Sequence, residues 1–183
     1  LDGIGDVLRI AISEGDGLTI RNASAAELPK DIEKNVITPA VRAFMTAAGK
    51  KACLEIVVEK KIRPGSGIGS SAASSAAAVF GLNELYGRPF PLPELVPFAM
   101  EGEKLISGTA HADNSAPAVM GGIVLIRGYQ PLDMVRLPVP DSFCFSVIHP
   151  HIVVRTKAAR DVLRKEIPMR EAVTQWGNVG GLV

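Results

Sequence analysis

The stretch RPGSGIGSSAASSAAAVFGL, Arg63–Leu82, constrains this chain more than any other. From Gly65 to Ala78 nearly every residue is Gly, Ser or Ala. Such text fits a flexible linker, a closely packed helix or a ligand-binding turn, and its neighbours decide between them. Upstream, ACLEIVVEKKI (Ala52–Ile62) is dense in apolar and β-branched residues and predicts a strand. Downstream, Ser70–Tyr86 is rich in Ala, is followed by Gly87, and predicts a helix. A linker separates patterned segments, whereas this stretch runs from one into the next. Strand, glycine turn and helix N-terminus together make an anion cradle. Glycines let the backbone approach a ligand without Cβ clashes. The first-turn N–H groups face outward at the positive end of the helix dipole. Ser66, Ser70 and Ser71 add hydroxyls, and a hydroxyl also ligates Mg2+ in phosphate sites. Ala76 to Ala78 need do no more than pack the helix closely.

Two other phosphate loops are excluded. The P-loop requires Lys after its last glycine, and here Ser70 follows Gly69. The dinucleotide fingerprint requires G-x-G-x-x-G, and here the glycines are Gly65, Gly67 and Gly69.

Around the cradle the text predicts a mixed α/β or α+β chain. GDVLRIAIS (Gly5–Ser13) and GLTIRNA (Gly17–Ala23) flank EGDG and read as a β-hairpin. Asn35–Lys50 and Leu92–Ile106 read as helices, with Pro39 and Pro93 near their first turns. Ser107–Gly122 opens as a loop and then turns apolar. Gly122–Tyr129, Asp133–Val139 and Phe143–Pro150 read as strands, Thr156–Ile167 as a helix capped by Thr156, and Met169–Gly177 as a last helix. Cys53 and Cys144 lie in apolar runs and read as buried thiols, not as a disulfide or metal framework. Lys60, Lys61 and Arg63 read as a solvated strand end. A net charge of +1 argues for neither nucleic acid nor membrane as partner. No secretory leader opens the text and no apolar run reaches the ~18 residues of a span, so a cytoplasmic location is expected.

PGSGIGSSAA resembles the second motif of the GHMP kinases, a Pro followed by small residues and then G-[LI]-G-S-S-A. Pro64, Gly67, Ile68, Gly69, Ser70, Ser71 and Ala72 carry the likeness. The resemblance implies that Pro64, Gly65, Ser66, Gly67, Ile68, Gly69, Ser70, Ser71, Ala72, Ala73 and Ser74 wrap the phosphates of ATP. Within the family, GEKLISGTAHADNSAPAVMGG (Gly102–Gly122) is similar to the homoserine kinases. That likeness implies Mg2+ held by Ser71 and Glu103, with Ser71 in the reaction centre. It implies L-homoserine held by His111 and Asn114. VRTKAAR (Val154–Arg160) is a weaker match and implies Arg160 on the substrate carboxylate. Asp113 is a candidate catalytic base, or a residue that only orders its loop.

From the residues alone, Glu103 reads as a surface carboxylate, His111 as a structural hydrogen-bonder and Arg160 as a solvated helix residue. His149 and His151 have no functional account. The implied reaction is ATP plus L-homoserine to ADP plus O-phospho-L-homoserine, a step of threonine biosynthesis. Another GHMP kinase acting on mevalonate or a sugar, and a non-catalytic nucleotide-binding fragment, are the alternatives. The implied fold is α+β. A GHMP kinase N-terminal domain containing a left-handed βαβ unit spans 1–140, and the start of a ferredoxin-like C-terminal domain spans 141–183. The family's first motif would precede Leu1 and its third would follow Val183, so a piece truncated at both ends, inactive alone, is expected. Dimerisation is common in the family, and no stretch here locates an interface.

Overall fold

The computed structural model describes residues 5–15, 17–25, 27–146, 148 and 162–182. The chain divides into two units, Leu1–Val153 and Val154–Val183. The first is α+β.

Its sheet is organised by β3 (Cys53–Glu59), where Leu54, Ile56 and Val58 are buried and their neighbours half-buried. This period of two marks a strand with one face on the core. β1 (Val7–Ser13) pairs antiparallel with one edge of β3, and β2 (Leu18–Asn22) pairs parallel with the other. Ile10, Ile56 and Ile20 thereby lie side by side across the sheet. A parallel pair needs a crossover. It is supplied by a 3-10 turn (Ile32–Lys34) and helix α1 (Ile37–Ala47).

Helices α2 (Ser70–Leu85), α3 (Leu92–Ser107) and α4 (Ala112–Met120) complete the core with α1. Phe44 of α1 sits at its centre, meeting Phe90 and Phe98 edge-on at 5.5 and 5.8 Å, an arrangement that aromatic quadrupoles favour. A hairpin of β4 (Ile123–Tyr129) and β5 (Leu132–Leu137) follows. In the second unit, α5 spans Met169–Leu182. No helix among the described residues is long and apolar enough to cross a membrane.

Several expectations are corrected. β1 and β2 do not form a hairpin, because β3 lies between them in the order β1-β3-β2. The most apolar strand takes the central place, where both its edges are hydrogen-bonded. Gly15 and Gly17, at φ 107° and 92°, carry the chain round, and Gly17 O accepts the Leu54 N–H. The segment after Ser107 is helical from Ala112, not a loop. The described residues of the expected strand Phe143–Pro150 carry no strand, and Val162–Ile167 are not helical; the remainder of both segments, including Thr156, lies outside the described residues. α5 extends past the expected Gly177 to Leu182. Cys53 is half-buried at the start of β3 and Cys144 is exposed, so neither is a core thiol.

Gly102 on α3 has the tightest surroundings of the described glycines. A Cβ there would lie 2.1 Å from Ser75 Oγ and 2.6 Å from Val36 O. Backbone cannot yield as a side chain does. Gly102→Ala should therefore destabilise the protein by ~1–3 kcal/mol or more, read as a fall in thermal midpoint of the full-length gene product. Gly177→Ala, with open space around the Cβ, should be neutral or stabilising by up to ~1 kcal/mol. Equal midpoints for the two variants would refute the packing argument.

Candidate active site

The glycine-rich turn begins where β3 ends and finishes at the N-cap of α2. Gly65, Gly67 and Gly69 all have left-handed φ, at 78°, 80° and 75°, values that residues with a Cβ rarely adopt. Arg63 O takes the Ser66 N–H. The N–H groups of Gly67, Ile68 and Gly69 have no acceptor among the described residues. The turn thus offers backbone donors beside the positive end of a 16-residue helix.

The serines divide by direction. Ser71 Oγ donates to Glu103 Oε1 of α3 at 2.5 Å. Ser70 Oγ donates to Ile62 O at 2.8 Å, so this hydroxyl closes the base of the turn. Ser74 is 3% exposed and its hydroxyl is bonded internally, to Asp6 Oδ2. Ala72 is buried. Ser66 Oγ is inaccessible to solvent and has no partner among the described residues.

α4 delivers the second set. His111 is its N-cap residue, and Asp113 and Asn114 lie in its first turn. Thr109 Oγ1 and His111 Nε2 share a hydrogen bond of 2.7 Å. Asp113 is exposed, and its Oδ1 accepts the Asn114 N–H at 3.0 Å, a local bond that steadies the helix start. Asn114 abuts the turn: a Cβ on Gly69 would sit 3.1 Å from Asn114 Oδ1. Ile68, Gly69, Ala73, Phe80, Asn114 and Pro117 help line a cavity of about 580 Å³ between α2 and α4. Sequence-predicted residues from three segments thus meet at one place: the turn, Glu103 and Asn114. Arg160, His149 and His151 lie outside the described residues.

Two residues at this place were not singled out from sequence. Asp6 and Lys60 form an ion pair whose side chains are 0% and 3% exposed, which corrects the reading of Lys60 as solvated. Lys60 Nζ donates to Asp6 Oδ2 at 2.5 Å, Ser70 O at 2.7 Å and Ser74 Oγ at 2.9 Å. Asp6 Oδ1 accepts the Lys61 and Ile62 N–H groups, and Oδ2 also accepts Ser74 Oγ. Burial pushes the Asp6 carboxyl up. The bonds from Lys60, Ile62 and Ser74 and the Lys60 charge outweigh it and hold the group below its ordinary value. A lowered carboxylate contributes stability above the unfolded value of ~3.9, and that contribution is lost as pH falls through the folded value. A buried pair of this kind has no local sequence signature, because Asp6 and Lys60 are partners only in the folded sheet.

Comparison with known proteins places the chain. Residues 35–122 match the GHMP kinases N-terminal domain. The chain is 44% identical to the homoserine kinase of Chlorobium phaeobacteroides strain BS1, over 97% of this chain and 63% of the relative. It is 47% identical to that of Chlorobium phaeovibrioides, over 92% and 55%. The crystal structure of homoserine kinase from Cytophaga hutchinsonii superposes with a TM-score of 0.89 at 45% identity, covering 100% of this chain and 58% of that one. The chain thus spans between half and two thirds of the length of these relatives. A glycine turn feeding a helix, met by a carboxylate on one neighbouring helix and an amide on another, fits that likeness, and residues 35–122 carry the match to the GHMP kinases N-terminal domain.

Proposed function

We propose that this chain is the nucleotide-binding part of an ATP-dependent kinase that phosphorylates the side-chain hydroxyl of L-homoserine. The observation that carries the proposal is the Ser71–Glu103 pair at the start of α2, beside Asn114. Likeness to homoserine kinases over nearly the whole chain supports the substrate.

In this reading the phosphates are held by those amides between Gly65 and Ser71 that are not used within the turn, Gly67, Ile68 and Gly69 among them. A serine hydroxyl and a carboxylate in contact are hard oxygen donors, the set that Mg2+ takes together with phosphate oxygens. Ser71 and Glu103 would hold it, and Mg2+ would supply neutralisation of the phosphate charge. His111 and Asn114 hold the amino acid, and Arg160 makes a two-pronged contact with its carboxylate. The hydroxyl oxygen forms a bond to the γ-phosphorus while the bond to the ADP oxygen breaks. In a loose transition state the nucleophile needs little deprotonation, so its proton can leave late, to solvent. Positioning and charge stabilisation carry the rate. Asp113 then orders the α4 turn and is not the base. The site lies in an N-terminal domain at 1–140, and a C-terminal domain opens at 141.

In the full-length gene product, ATP-dependent formation of O-phospho-L-homoserine should exceed that of phosphomevalonate or sugar phosphates in a substrate panel. Ser71→Ala and Glu103→Gln should each lower kcat by ~10²-fold or more, about 2.7 kcal/mol, and shift the Mg2+ titration upward. Unchanged Mg2+ curves in both would remove the metal assignment.

Asp113→Asn keeps an acceptor for the Asn114 N–H but cannot take a proton. Turnover should stay within about threefold of the parent, since a lost general base costs ~10²–10⁴. A loss of that larger size would install Asp113 as the base. Arg160→Ala should raise the KM for homoserine far more than that for ATP; equal rises would refute the carboxylate contact.

A further inference from the structure

We propose that Asp6 and Lys60 are positioning residues for the nucleotide, clamping the base of the phosphate turn so that its amides are held ready for the ligand. The inference deepens the kinase reading above and rests on it.

The clamp has two jaws. At the entry, both amides that follow Lys60 donate to Asp6 Oδ1, from Lys61 and Ile62 at 3.0 Å each. At the exit, Lys60 Nζ holds the Ser70 carbonyl and the Ser74 hydroxyl, while Ser70 Oγ reaches back to Ile62 O. The end of β3 and the first turn of α2 are therefore tied to one another and to the residue preceding β1. All three ammonium hydrogens are used, and the carboxylate accepts four bonds. Between the jaws, the N–H groups of Gly67, Ile68 and Gly69 find no acceptor among the described residues.

A turn with three left-handed glycines is costly to order, since glycine loses the most backbone freedom. It contributes little of its own to meet that cost. A buried charge pair is also an expensive way to join strand to helix: apolar residues of the same size are often as stabilising. What the pair supplies that apolar residues cannot is a set of directed bonds to the carbonyl and amides at the turn's two ends.

The test uses the double variant Asp6→Asn/Lys60→Met in the full-length gene product. It removes both charges together, so no lone charge is left buried. Three readings are taken: amide exchange of residues 65–71 without ligand, calorimetric binding of Mg2+ with a non-hydrolysable ATP analogue, and KM for homoserine. The expected result is faster exchange across the turn. Nucleotide binding should be about tenfold weaker, roughly 1.4 kcal/mol of lost pre-organisation, with the homoserine KM unchanged. A folded double variant with parental exchange and parental nucleotide affinity would overturn the clamp. If that variant does not fold, Ser74→Ala decides by the same exchange reading, since it deletes the hydroxyl that bridges Asp6 and Lys60; unaltered exchange there also overturns it. Faster exchange in the variants of a parent that binds no nucleotide would sink the kinase reading and leave the clamp of the turn standing.

Discussion

The close approach of α2 and α3 at Ser75 and Gly102 governs the rest of the site. No side chain fits at position 102, because Ser75 Oγ and Val36 O already occupy its space. Ser75 in turn donates to Val36 O at 3.1 Å, so α2, α3 and the start of α1 are locked at one point. Ser71 lies one turn before Ser75 on the same face of α2, and Glu103 follows Gly102 directly. The hydroxyl and the carboxylate meet because the backbones one step away are in contact. α2 has little sidedness: Ala72, Ser74, Ser75, Ala76, Ala78, Val79, Leu82 and Asn83 are all buried. A helix hydrophobic or small all round is a buried helix, and this one is pressed by β1, α1, α3 and α4. The small residues that look like low complexity are what lets four elements crowd one helix.

The same crowding leaves the polar groups of α2 with few places to go, and each finds one. Asn83 is buried and exchanges two hydrogen bonds with the Phe90 backbone, fixing the α2–α3 connection. Ser74 is absorbed by Asp6 and Lys60. Buried polar groups cost free energy unless paired. These pairings give the helix a single orientation about its axis, which a surface of alanines could not specify. Orientation matters at Ser71, whose hydroxyl would face away from Glu103 after a rotation of one residue.

Most of the elements were legible because their signals are local. β3 announces itself by alternation, α2 by alanines ended at Gly87, and α3 by its early proline and apolar spacing. What failed was non-local. The EGDG turn resembles that of a hairpin, yet a strand thirty residues later takes the position between β1 and β2. Lys60 sits in a basic run and reads as solvated, because nothing near it in sequence reveals Asp6. α4 was hidden by its composition: Asp113, Asn114, Ser115 and Pro117 favour turns and helix starts over helix interiors. They occupy a helix whose N-terminal half is made of such residues, with Ala112, Ala116 and Val119 buried in the core. The site residues themselves came from motif likeness, since Glu103 and Asn114 have no sequence neighbour that marks them as partners of the turn.

That α4 is a helix changes the chemistry of its residues. As a loop, His111, Asp113 and Asn114 would be three polar side chains of loosely related direction. As the start of a helix they sit at a positive dipole end, and the Asn114 side chain rests against Gly69, the N-cap of α2. Two helix N-termini therefore face one small region. Each favours an anion by ~0.3–1 kcal/mol at an exposed site and up to ~2 kcal/mol when partly buried. One nearby cation, Lys60, is spent inside the protein on Asp6. The site thus gathers positive potential from oriented backbone, with a carboxylate, Glu103, left at its edge. A carboxylate beside a phosphate would repel it. On the proposed reading a divalent cation would offset that repulsion, and Ser71 and Glu103 are the oxygen donors that would hold it.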